Sequence, residues 1–152
     1  MSEYTAVISW RREGAVFTDN RYNRAHAWSF DGGAVVPASA SPLHVPVPLS
    51  DPTGVDPEEA YVAAISSCHM LFFLSLAAKK KFIVDSYEDH AVGEMEKGAD
   101  GALWMSRVSL RPNIVFSGAQ PTPTDITALH HQAHTMCYLA NSVKTAITVE
   151  PT

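Results

Sequence analysis

The chain has 152 residues, 46% of them apolar and 18% charged, with a net charge of -5 at neutral pH. That length can bury a core without disulfides or a structural metal, and the composition is that of an ordinary soluble globular domain. The acidic balance excludes an electrostatic footprint for nucleic acid or an anionic membrane.

The amino end, MSEYTAVISWRREG, lacks the charged-then-apolar pattern of a secretory signal, so a cytoplasmic location is expected. Residues 4 to 10 alternate as a strand does, and His26, Trp28 and Phe30 share one face of a second strand over 25 to 30. Asp31-Gly32-Gly33 follows as a turn. Prolines at 37, 42, 46, 48, 52 and 57 make Val36 to Pro57 an extended surface connection, with room for an edge strand around Leu43 to Leu49 at most. The 35 residues before it are too few for an independent domain, so residues 1–152 are expected to form one domain.

Asp56 to Ala78 is the one long helical signal. Asp56 caps it, Pro57 suits the first helical position, and Glu59 completes an Asp-x-x-Glu capping box. Beyond Tyr61 nearly every position is apolar or small, which predicts a helix buried all round rather than a membrane span, since Ser66, Ser67, Cys68, His69 and Ser75 interrupt it. Phe82 to Glu96 and Ala102 to Phe116 read as two arms of a hairpin turning at GADG, with a bulge or edge at Pro112. A second helix, 125 to 140, and a short strand, 145 to 149, complete an α+β pattern with antiparallel sheet.

Two cysteines carry the candidate chemistry. In a reducing compartment they are core residues, redox groups or metal ligands rather than a structural disulfide. Cys68 lies in the middle of the first helix, and its neighbour His69 points about 100° away, too far round to act as its base. Cys137 ends the second helix pattern, 69 residues on. If the two helices pack together, one thiol can attack a peroxide and the other can resolve the sulfenic acid, provided a cation favours the thiolate. Arg24 or Arg21 is the candidate cation, in the polar segment before the second strand. A competing constellation is zinc held by Cys68, Cys137 and His134, with His130 one turn earlier on the same face, although no Cys-x-x-Cys or His-Glu-x-x-His pattern supports it. A non-catalytic ligand or interaction module, with both cysteines serving as packing, is the alternative from a different class.

Asp56-Pro57-Glu58-Glu59 followed by AYVAAISSCHM, with the cysteine eleven positions after the proline, resembles the OsmC/Ohr family of thiol-dependent peroxidases. So does Cys137-YLANSV on a late helix before a terminal strand. The resemblance implies an intertwined homodimer whose antiparallel sheets wrap central helices. It implies a peroxidatic Cys68, a resolving Cys137, and Glu58 holding an activating arginine, assigned to Arg24. It also implies organic hydroperoxides as substrate, a thiol reductant of the lipoylated-protein kind, and no cofactor or metal. Two departures stand out: Tyr138 and Leu139 follow Cys137 where the family has proline and then serine, and the proline-rich stretch is longer than in compact members. Glu58 and Cys68 are ten residues apart, roughly 15 Å along one helix axis, so either the helix breaks or Glu58 serves a partner subunit's cysteine.

Overall fold

A computed structural model describes residues 1–150. They fall into two compact units, Met1–Ala60 and the remainder from Tyr61 onward. In the first unit, β1 (Ala6–Ser9), β2 (His26–Phe30) and β3 (Val35–Ala38) form an antiparallel sheet in that order. Ala6 pairs with Phe30 and Ser9 with Ala27, and the hairpin to β3 turns through Gly33 at φ 89°, a conformation glycine adopts without strain.

The strand β3 begins where the proline-rich connection was expected to start. Pro37 is admitted because β3 is an edge strand, where a residue without an N–H is tolerated. The strand anticipated over 43–49 does not form. Turn bonds hold that stretch instead, His44 N–H to Ser41 O at 3.0 Å and Leu49 N–H to Pro46 O at 3.0 Å, with the Ser50 hydroxyl donating to Val45 O at 2.6 Å.

The helix α1 (Pro57–Lys79) starts as its sequence dictates. Asp56 N–H donates to Glu59 Oε1 at 2.9 Å, and Glu59 N–H to Asp56 Oδ1 at 2.8 Å. Length and composition alone would let α1 cross a membrane, with a mean hydropathy of 1.7. One side of it is packed within the chain, through Ile65, His69, Phe73, Leu76 and Ala77. The other side, with Ala63, Ala64, Ser67, Leu71, Ser75 and Ala78, is exposed, so the expectation of burial all round is corrected.

In the second unit the expected hairpin exists, but each of its arms is broken in two. The strands β4 (Ile83–Asp89) and β7 (Pro112–Ser117) pair with each other, as do β5 (Val92–Lys97) and β6 (Leu103–Leu110). The break has a cause: Asp89 Oδ1 accepts the Arg111 N–H at 2.6 Å while its other oxygen accepts from the Ser66 hydroxyl of α1, and Pro112 next along has no N–H to offer a ladder. The final strand, β8 (Ala146–Val149), runs parallel to β6, so this sheet is mixed rather than purely antiparallel. A parallel neighbour needs a long crossover, which β7 and α2 (Pro123–Met136) supply. Thr122 caps α2 in a full capping box with Asp125, and Pro123 takes the first turn.

The core of this unit lies around α1. Phe73, Leu76 and Ala77 pack on Leu129 and Ala133 of α2, with Val84, Tyr87, Ile114 and Phe116 beside them. Ile65 packs on Val108 and Leu110 of β6, with Ile147 and Val149 alongside. Gly93 marks a close approach here, since a Cβ on it would stand 2.5 Å from Val62 Cγ2 and 2.7 Å from Met105 Sδ. Gly93→Ala is expected to lower stability by about 1–3 kcal/mol through overpacking, read as a reduced urea midpoint at unchanged slope.

Candidate active site

Both cysteines lie on the α1 and α2 helices that the core presses together. Cys68 sits in mid-helix, half-buried, whereas Cys137 is the cap residue just past Met136, where α2 ends four positions earlier than expected from sequence. Its N–H is held by Ala133 O at 2.9 Å, its backbone turns to φ -64°, ψ 115°, and its side chain is 1% exposed. The two sulfurs stand 2.9 Å apart, with the Cys137 thiol donating to Cys68 Sγ. Ala140 N–H approaches Cys137 Sγ at 3.4 Å, and Tyr138 packs edge-on against Phe72 with ring centroids 5.1 Å apart.

This geometry distinguishes the two thiols. Burial, and then the hydrogen bond to Cys68, push the Cys137 thiol above its ordinary value, so it stays protonated. Cys68 is the less buried of the two residues, and its sulfur accepts the hydrogen bond. Closing 2.9 Å to the ~2.05 Å of a disulfide needs a shift of about 0.9 Å. The same spacing is too short for zinc, because two sulfurs at ~2.3 Å on a tetrahedral ion sit roughly 3.7 Å apart. Among the described residues no three His, Cys, Asp or Glu side chains are grouped to hold a metal.

The structure does not bring Arg24 and Glu58 together. The Arg24 guanidinium donates to Tyr22 O, to Asn20 O at 3.1 Å and to Asn20 Oδ1 at 2.9 Å, and lies over the Tyr22 ring with its central carbon 3.9 Å from the centroid. The loop presenting it is strained: Phe17 has φ 74°, unusual for a bulky residue, while its ring stacks on Tyr22 at 4.7 Å and tilts against Trp10 at 5.8 Å. Arg21 is exposed, and its backbone N–H bonds the Asp19 carboxylate. Glu58 has a buried carboxylate oxygen, Oε2, with no hydrogen-bond partner among the described residues. The helix between Glu58 and Cys68 is unbroken, which leaves the roughly 15 Å of axis between them intact.

Sequence reasoning missed the pairing of His69 with His130. His69 Nε2 and His130 Nδ1 are 3.0 Å apart, and the rings lie near-parallel at 10° with centroids 5.3 Å apart. The two side chains are 1% and 4% exposed. Burial first, then the charge of His134, lowers His69 from 6.5 to about 4, and burial and His69 do the same for His130. The available signal was that His69 falls four residues before Phe73 on the packed side of α1, a position no solvated histidine takes.

The chain is thus an α+β fold in which a central helix carries a thiol 2.9 Å from a second thiol at the end of a later helix. The OsmC-like protein family model matches residues 50–152, and the chain belongs to that family. A solved OsmC-like protein of unknown function from Vibrio cholerae is similar over 100% of both chains, at 52% identity and a TM-score of 0.97. An organic hydroperoxide resistance protein from Elizabethkingia anophelis shares the fold at 16% identity and TM-score 0.72, covering 99% of this chain and 94% of its own. The corresponding OhrB protein of Bacillus subtilis does so at 18% identity and TM-score 0.67, covering 98% of each. No curated protein sequence matches the chain.

Proposed function

We propose that the protein is a cysteine-based peroxidase that reduces organic hydroperoxides. The observation that carries this reading is the Cys137 thiol donating to Cys68 Sγ at 2.9 Å. The Cys68 thiolate attacks the distal peroxide oxygen, the O–O bond breaks, and the alkoxide leaves as alcohol after taking up a proton. Cys137 then attacks the sulfur of the Cys68 sulfenic acid. The S–S bond forms, S–O breaks, and the hydroxyl leaves as water with the thiol proton. An external dithiol, of the lipoylated-protein type, returns both cysteines to thiols and is itself oxidised to a disulfide.

Arg24 is assigned to stabilise the thiolate and Glu58 to hold Arg24, in an arrangement completed by a second copy of the chain. The unpartnered Glu58 Oε2 supports this, because a buried carboxylate oxygen calls for a cation or another donor. The exposed small-residue side of α1, with Leu71 61% exposed, supports a homodimer built on that helix. The relatives named for organic hydroperoxide resistance support the substrate class. A cytoplasmic, reducing location is part of the proposal, since the cycle needs both thiols regenerated.

Treatment with one equivalent of cumene hydroperoxide is expected to yield a single intrachain Cys68–Cys137 disulfide by peptide mass spectrometry. Sulfinic acid on Cys68 with Cys137 still free would remove the resolving role. Two unmodified thiols would sink the peroxidase reading and favour the non-catalytic module.

A further inference from the structure

Tyr138 stands out in the sequence as a departure directly after Cys137, and the thiol chemistry described so far gives it no task. Its side chain is 71% exposed, although the thiol next to it is buried. The ring meets Phe72 of α1 edge-on, at 88° with centroids 5.1 Å apart, inside the range in which aromatic pairs attract each other. Phe72 lies one turn beyond Cys68. Residues four apart on a helix share a face, and helical side chains lean back towards the N-terminus, so the Phe72 ring leans over the turn that carries Cys68. The ring contact therefore joins the same two segments as the 2.9 Å sulfur contact, one residue along on one side and one turn along on the other.

The other bonds of Cys137 do not reach α1. Its N–H is held by Ala133 O, its carbonyl accepts the Asn141 N–H at 3.1 Å, and Ala140 N–H approaches its sulfur, all within α2 and the turn that follows. Leu139 packs with the cluster of Ile65, Val108 and Leu110, which anchors the turn beyond the thiol. The backbone of Cys137 itself has left the helix, at φ -64° and ψ 115°, so the direction of its thiol is not set by the helical ladder.

We propose that Tyr138 is a positioning residue for the thiol pair: clasped on Phe72, it holds Cys137 Sγ within reach of Cys68 Sγ. Without the clasp the reduced segment samples arrangements in which the sulfurs stand apart, whereas the disulfide admits only the near one. The clasp thus raises the effective concentration of one thiol at the other by preorganising it. In the peroxidase cycle this favours condensation of the Cys68 sulfenic acid with Cys137 over its oxidation to sulfinic acid by a second hydroperoxide. That use rests on the peroxidase reading, and the positioning does not. The tie is made between aromatic rings, so phenylalanine can replace tyrosine in it.

The test equilibrates the full chain with reduced and oxidised glutathione, which needs no peroxide. The two protein thiols give up two electrons and two protons, glutathione disulfide takes them and becomes two thiols, and the intrachain disulfide is counted by alkylation and mass spectrometry. From the strength of an aromatic pair, Tyr138→Ala is expected to lower the equilibrium constant for disulfide formation roughly two- to fivefold, and Tyr138→Phe to keep the parent value. In a Phe72→Leu background, Tyr138→Ala should change the constant no further, because the contact is already gone. The variants should keep the parent's circular dichroism and gel-filtration elution, since the ring is mostly exposed. An unchanged constant in Tyr138→Ala, no rescue by phenylalanine, or an undiminished loss in the Phe72→Leu background would each overturn the proposal. So would altered elution of Tyr138→Ala, which would place the residue in a subunit contact instead. Peroxide consumption by the parent is read in parallel: none, with the glutathione result intact, would remove the peroxidase reading and leave the positioning standing.

Discussion

Cys68→Ser is expected to reduce hydroperoxide consumption by on the order of 10³-fold or more, whereas Cys137→Ser should leave the first turnover nearly intact and stop the cycle afterwards. The asymmetry follows from geometry. Cys68 is half-buried and accepts a hydrogen bond, while Cys137 is 1% exposed and held protonated by burial. A hydroxyl at 68 has far too high a pKa to furnish an equivalent anion. A hydroxyl at 137 can still donate to the Cys68 sulfur but cannot condense with a sulfenic acid. Stopped-flow mixing with stoichiometric cumene hydroperoxide separates the two, reading oxidation of Cys68 in the first phase and turnover with added dithiol in the second. Equal losses in the first phase would contradict the assignment of roles, and so would full activity of Cys68→Ser.

Acid is expected to destabilise the protein well before its carboxylates titrate. His69 and His130 have values lowered from 6.5 to about 4 in the folded chain. Between those two pH values the unfolded chain binds protons that the folded chain refuses, so stability is complete above about 6.5 and is lost as pH falls towards 4. Treated separately, each shift corresponds to roughly 3 kcal/mol at 1.36 kcal/mol per unit; because the rings face each other, about 3 kcal/mol is the expectation for the pair. Asp51 and Asp125 are held below their ordinary 3.8 by hydrogen bonds from Thr53 and Thr122, so their contributions disappear only at lower pH, outside this window. Urea midpoints from pH 7 to pH 4 should fall steeply for the parent and much less for a His69→Phe, His130→Phe double variant. A parent midpoint flat over that range would show that the pair accepts a proton without cost.

How far the sequence spoke depended on whether the signal was local. The start of α1 was legible because Asp56, Pro57 and Glu59 act within four residues of each other, and Thr122 to Asp125 mark α2 by the same local chemistry. The two arms of the hairpin were legible as strands, but their interruption was not, since it depends on Asp89 bonding Ser66 and Arg111, each more than twenty residues away. Pro37 in β3 was misread because proline signals only what it cannot do, and an edge position forgives it. The thiol pair could be nominated from two isolated cysteines, yet their contact spans 69 residues and rests on how α1 and α2 pack. At Arg24 the residue type could be matched to the chemistry, but the bonds to Asn20 and the ring of Tyr22 that hold its guanidinium had no signal in the spacing.

The position of Cys137 at the cap of α2, just past its last residue, has a mechanical consequence. A thiol in mid-helix can approach a partner only by carrying with it a rod pinned by a bond at every turn. Cys137 instead sits on the joint where that rod has ended and extended backbone has begun. Rotation about its side chain and the peptide on its far side can take up the last ångström, and the 14 residues of α2 need not slide. If the two thiols couple, the movement required is that of a latch closing at a hinge rather than of a rod sliding through the core.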